Sequence, residues 1–232
     1  RHIDSAGCAR LGAVKSRQSF ARENVSVGYY PPYDVLTAKQ RAELNRYWKR
    51  ADVSYQRILK ELRCQPDPSR LDVYLCSDPK AFSDLYGSKS EGVSGCNIKD
   101  VGIIVSTTED NPLSTIDHEC AHAAFRKFMQ NNFGDDLDYY SHTISEGFAV
   151  AQEVPDVRNA AIVRRFYKGF FDKEELLDSR ALLSLVALPR ESLTFEFDSG
   201  ALMLFFYDKY KSWPVTLRIL SEWHKKLVNG EE

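Results

Sequence analysis

From Asn111 to about Gln130 the chain reads as one helix that is apolar or small on almost every side, with two histidines and a glutamate at its centre. Asn111-Pro112 opens it as a cap followed by proline at the first helical position. Ile116, Ala121, Ala123, Ala124, Phe125 and Phe128 then surround His118, Glu119 and His122. A helix apolar nearly all round is a buried one. Ionisable groups inside it are costly unless they are paired or bind a metal. Any fold open to this chain must bury that helix and give the three side chains partners.

His118-Glu119-Cys120-Ala121-His122 has the HExxH spacing. Residues four apart on a helix lie about 6 Å apart along the axis and only about 40° apart around it. Two such imidazoles can converge on one Zn2+. Glu119, beside the first histidine, can reach a metal-bound water. Catalytic zinc usually takes a third protein ligand. Phe125 and Phe128 stand where the extended HExxHxxGxxH motif needs glycine and histidine. Glu146, in Ser145-Glu146-Gly147-Phe148-Ala149, follows His122 by 24 positions, room for a reversing loop and a second apolar helix. It is the expected third ligand, with Glu153 as fallback. The ordinary alternative for Glu146 is an exposed first-turn carboxylate favoured by the helix dipole.

The rest of the chain predicts an α+β fold: a small mixed sheet with the active-site helix, followed by an all-helical C-terminal lobe. Residues 1–17 form a tail, and residues 18–232 form a single domain, with an α+β lobe at 18–130 and a helical lobe at 131–232. Strands are expected at Asn24–Tyr30, Arg70–Cys76 (one buried face), Gly92–Asn97 (an edge, weakened by Gly92 and Gly95) and Val101–Thr107 (buried on both faces). Helices are expected at Thr37–Arg63, capped by Thr37, and at Pro79–Tyr86. After a loop at Asn131–Asp138, helices follow at Ile144–Glu153, Val157–Phe170, Lys173–Val186, Ser199–Tyr210 and Val215–Leu227. Trp48, Trp213 and Trp223 fall at apolar helix positions and are expected in the core; His2 and His224 are expected to face solvent.

Thirty-one basic against 33 acidic residues give a formal charge of -2, which excludes a general nucleic-acid binder. No apolar stretch is long enough for stable membrane insertion. Arg1 opens the chain without methionine or an apolar leader, as expected of a processed chain or a piece of a longer precursor. Five cysteines without a CxxC pair argue against a cysteine-built zinc site. They are either isolated buried thiols or, with Cys120 buried alone, the makings of up to two disulfides.

HECAH followed by SEGFAVAQE resembles the gluzincin metallopeptidases, in particular the peptidase MA-like domains. The similarity extends over roughly Ser19 to Leu227 and is strongest at His118–Glu153. It implies a zincin-like fold with the zinc in a cleft between the lobes. It also implies zinc-dependent hydrolysis of peptide bonds in a peptide or protein substrate, with Glu119 as the base and the substrate extended along the edge strand. An extracytoplasmic location follows from the same likeness. Two positions depart from the family pattern. Phe197 stands where related enzymes carry an oxyanion-stabilising tyrosine, a role open here to Tyr140, Tyr139 or His142; His142, one turn before Glu146, is also a candidate partner for that ligand. Val150 replaces an aspartate found in some members. The rival expectations are a degenerate peptidase that holds a peptide or protein in its cleft, and a zinc hydrolase acting on a non-peptide amide.

Overall fold

The computed structural model describes residues 20–21, 25–30, 36–65, 71–76, 80, 82–83, 95–98, 102–107, 112–134, 139–153, 183 and 193–231. Five strands, β1 (Phe20–Ala21), β2 (Val25–Tyr30), β3 (Leu71–Cys76), β4 (Gly95–Ile98) and β5 (Gly102–Ser106), form one mixed sheet in the order β1-β2-β3-β5-β4. β2, β3 and β5 run parallel, with Val27 opposite Val73 and Leu75 opposite Val105. β1 and β4 are the antiparallel edges. Among the described residues are five longer helices: α1 (Ala38–Glu61), α2 (Pro112–Phe133), α3 (His142–Glu153), α4 (Leu193–Tyr210) and α5 (Trp213–Val228). The fold class is α+β. The described residues fall into two compact units, one within Arg1–Leu59 and Gln65–Ala123, the other within Lys60–Cys64 and Ala124–Glu232.

In the first unit, α1 starts where its sequence says. Thr37 Oγ1 accepts from the Gln40 amide at 3.3 Å and Gln40 Oε1 accepts from the Thr37 amide at 3.0 Å, a reciprocal capping box. Leu44, Trp48, Ala51, Tyr55 and Ile58 make its buried stripe. β5 is buried from Ile103 to Ser106, as its run of branched residues predicts. β3 departs from expectation: Val73, Tyr74, Leu75 and Cys76 are all buried, so its second half is covered on both faces. Its place between β2 and β5 explains this, because a central parallel strand is normally covered on both sides. Burial pushes the Tyr74 phenol up to about 12.

α2 runs three residues past the expected stop, to Phe133. Gly134 ends it in the left-handed region (φ 65°), its amide bonded to the Gln130 carbonyl at 3.0 Å. Residues 135–138 of the expected loop lie outside the described residues. So do the expected helix Val157–Phe170 and, apart from helical Leu183, Lys173–Val186; of Pro79–Tyr86, residues 80, 82 and 83 are described, and all are helical.

In the second unit, α3 is capped by Ser141, whose hydroxyl accepts from the Ile144 amide at 3.4 Å. α4 begins six residues before the expected Ser199. α3 and α4 approach closely. A side chain at Gly147 would strike the Ser199 carbonyl, and one at Gly200 would lie 2.5 Å from Val150 Cγ1. Phe148 meets Phe125 and Trp213 at ring separations of 6.2 and 5.1 Å, and Tyr207 stacks on Trp213 at 4.1 Å.

Two expectations are corrected here. Trp223 is 44% exposed, whereas His224 is buried with Nδ1 2.5 Å from the Leu183 carbonyl. The buried stripe of α5 is Trp213, Thr216, Leu217, Leu220, Ser221 and His224, which leaves Trp223 beside it. Of the two readings of the cysteines, the described residues agree with isolated buried thiols: Cys64, Cys76, Cys96 and Cys120 are all buried and outside any disulfide. Cys76 on β3 and Cys96 on β4 are held apart by the intervening β5. Two strand spacings are about 9.5 Å, beyond the roughly 7 Å that a disulfide spans between Cα atoms. Cys8 and His2 lie outside the described residues. No helix among the described residues is long and apolar enough to cross a membrane.

Candidate metal centre

α2 carries the HExxH residues, and each flank of the helix has a different neighbour. One flank faces α1. Asp117 is buried and receives Arg50 Nε at 2.8 Å, a second bond from Arg50 Nη2, and the Ser54 hydroxyl. The bonds to Asp117 hold the Arg50 guanidinium above its ordinary range. One turn on, Cys120 Sγ lies 3.6 Å from the Ala51 carbonyl. Burial pushes the Cys120 thiol well up, assisted by the nearby Asp117 and Glu119 carboxylates, so it stays protonated. The sequence reading missed this anchor. Its signal is Asp117 itself, a second carboxylate among the apolar residues of the helix, one position before the first histidine.

A second flank faces the edge strand β4. Glu119 is only 6% exposed. It and Thr115, four residues earlier, lie against Gly95: a Cβ built there would be 2.9 Å from Glu119 Oε1 and 2.6 Å from Thr115 Cγ2. The glycine expected to leave an edge open to an approaching backbone is thus filled, on this side, by the carboxylate of the motif.

The third flank presents His118 and His122, both half-buried, with ring planes 77° apart and centroids 4.7 Å apart. Their Nε2 atoms are 3.0 Å apart. Glu146, half-buried on α3, joins them: the three ligand atoms all lie within 4.8 Å of one another. Two imidazole nitrogens turned toward each other must share either one proton or one cation. A zinc ion at roughly 2.0–2.1 Å from each nitrogen touches both whenever they are closer than about 4 Å. The donor set therefore fits a divalent ion that accepts nitrogen and oxygen together, as zinc does.

The remaining expected site residues are placed as follows. Tyr140 precedes α3; its hydroxyl lies 3.3 Å from Ser145 Oγ, and its ring is 5.7 Å from those of Phe125 and His142. It therefore bonds the residue next to Glu146. His142 opens α3, one turn before Glu146. Tyr139 stacks on Phe133 at 4.3 Å with the Lys225 ammonium over its ring, a packing role. Glu153 ends α3 and is not in the metal-ligand group. Val150 fills the space at Gly200. Phe197 lies in α4, and its side chain is outside the described residues. Comparison of the chain with protein-family models, curated proteins and solved structures finds no match.

Proposed function

We propose that the protein is a gluzincin-type zinc metallopeptidase with a zincin-like fold, in which His118, His122 and Glu146 hold the metal. The observation that carries this reading is the gathering of those three side chains within 4.8 Å, two of them brought together by one helix and the third supplied by α3. When bound, zinc supplies a Lewis acid that polarises a carbonyl and acidifies water. The chain supplies the rest. Glu119 takes a proton from the attacking water and returns it to the leaving amine. Its near-complete burial favours that task, because bulk water then competes little for the carboxylate. β4, an edge strand among the described residues, is the strand along which an extended substrate peptide would lie. In this reading Tyr140 and His142, at the start of the helix that bears Glu146, are the candidates to steady negative charge on the carbonyl oxygen.

The test is metal content together with digestion of a diverse peptide library. The protein should take up about one zinc per chain, lose it in the His118→Ala/His122→Ala double variant, and cleave library members when loaded. Stoichiometric zinc in the double variant would place the site elsewhere. A fully loaded protein that binds library peptides without cutting any would instead be the degenerate, peptide-holding form.

A further inference from the structure

Gly95 has an unusual neighbour for a strand glycine. The atoms that occupy the place of its missing side chain are Thr115 Cγ2, Glu119 Oε1 and Glu119 Cγ, at 2.6, 2.9 and 3.0 Å from an ideal Cβ. Resting on the peptidase reading above, we propose that Gly95 is a positioning residue for the general base: its lack of a side chain makes the slot that holds the Glu119 carboxylate.

Backbone conformation does not require glycine here. Gly95 is not among the residues with positive φ, and it pairs with Val105 in ordinary antiparallel register. Alanine is therefore open to the backbone. The three nearest atoms all belong to two side chains of α2, four residues apart on one face of the helix. Thr115 is β-branched and has few rotamers to retreat into. Glu119 is buried, so its carboxylate has few other places to go. The three nearest atoms are side-chain atoms and none is backbone, so a methyl group at position 95 is accommodated by turning Thr115 to another rotamer and swinging the Glu119 side chain. That swing carries the carboxylate out of its place. His118 and His122 lie on a different flank of α2 and keep their mutual spacing. The slot thus couples the edge of the sheet to the base and leaves the metal ligands alone.

A glycine kept only so that helix and strand can pack makes the opposite prediction: alanine would cost stability and leave Glu119 where it is. The two are separated by zinc-loaded Gly95→Ala and Gly95→Ala/Thr115→Ser. The single variant is expected to melt close to wild type and to bind zinc with unchanged affinity in chelator competition. Its crystal structure should show Glu119 in a different rotamer. Peptide cleavage should fall by about 10²-fold, in kcat rather than KM, the scale of loss from an ångström of misplacement. Trimming Thr115 to serine removes the nearest methyl, reopens the slot and should return part of the activity. Glu119 unmoved in the Gly95→Ala crystal structure, or cleavage at the wild-type rate, overturns the assignment. The crystal structure decides it even if wild type cleaves nothing, an outcome that would sink the peptidase reading by itself.

Discussion

The contact between β4 and α2 and the contact between α3 and α4 are both made at a glycine next to an acidic residue of the site, and they differ in what fills the gap. At Gly95 it is side chains, one of them the Glu119 carboxylate. At Gly147, the residue after Glu146, it is backbone, the Ser199 carbonyl of α4. A side-chain end can rotate away, whereas a helix carbonyl can retreat only if the helix moves. The first glycine is thus bound up with what the site does, and the second with whether the second unit is built at all. Two small residues that look alike in a sequence therefore fail in different ways.

Glu119→Gln should produce the steepest loss on the catalytic side. Glutamine keeps the shape but cannot take a proton at neutral pH. Cleavage by the zinc-loaded variant should fall about 10²–10⁴-fold, with melting temperature and zinc content close to wild type. Cleavage at the wild-type rate would remove Glu119 from the mechanism. On the structural side, Gly147→Ala should destabilise by about 1–3 kcal/mol, the usual range for overpacking. Because Glu146 is its neighbour, zinc affinity should weaken as well. Equilibrium denaturation and chelator competition measure the two effects, and a Gly147→Ala protein as stable as wild type would dissolve the distinction between the glycines.

Arg50→Met supplies a reference for the first unit. It leaves the buried Asp117 carboxylate with Ser54 but without its cation. Arg50 is about half exposed, so the loss should fall toward the lower end of about 1–3 kcal/mol. Zinc-loaded activity, measured well below the melting temperature, should be largely kept. A drop in activity far beyond the drop in stability would show that the α1 flank of the motif helix also tunes the site.

The smallest effect concerns Cys120. Its thiol is held well above the ordinary value in the folded state, mainly by burial. A raised folded pKa gives stability that is complete below the unfolded pKa and declines as pH rises beyond it. The wild type should therefore lose stability above about pH 9 more steeply than Cys120→Ala. Parallel stability–pH curves for the two proteins would contradict the shift.

Much of this arrangement is legible in the residues. The HExxH spacing and the Thr37 cap follow from contacts a few residues apart, whereas Glu146 is signalled by the second apolar helix 24 positions after His122 and the edge strand by its glycines. What was not legible depends on tertiary neighbours. Leu193, Phe195 and Phe197 alternate with Thr194, Glu196 and Asp198, a period-2 pattern that conceals the first turns of α4. That segment is helical with Phe195, Asp198 and Ser199 all buried, so long-range packing overrides the local pattern. In α5 the error ran the other way. Residue type suggested a buried Trp223 and an exposed His224, while the spacing of Leu217, Leu220, Ser221 and His224 already traced the buried stripe. The slot at Gly95 was half visible: a glycine on an edge strand announces a close approach but not what approaches.

Among the described residues the edges of the sheet are short, two residues at β1 and four at β4. An edge strand is a template on which a foreign strand can nucleate, and brevity is one of the ways natural proteins limit that hazard. If β4 receives substrate peptides, it cannot also be covered, and brevity is then the remaining safeguard of that edge. The four described residues would give any incoming chain a brief ladder, which limits the hold on a substrate peptide and the seeding of an aggregate by the same measure.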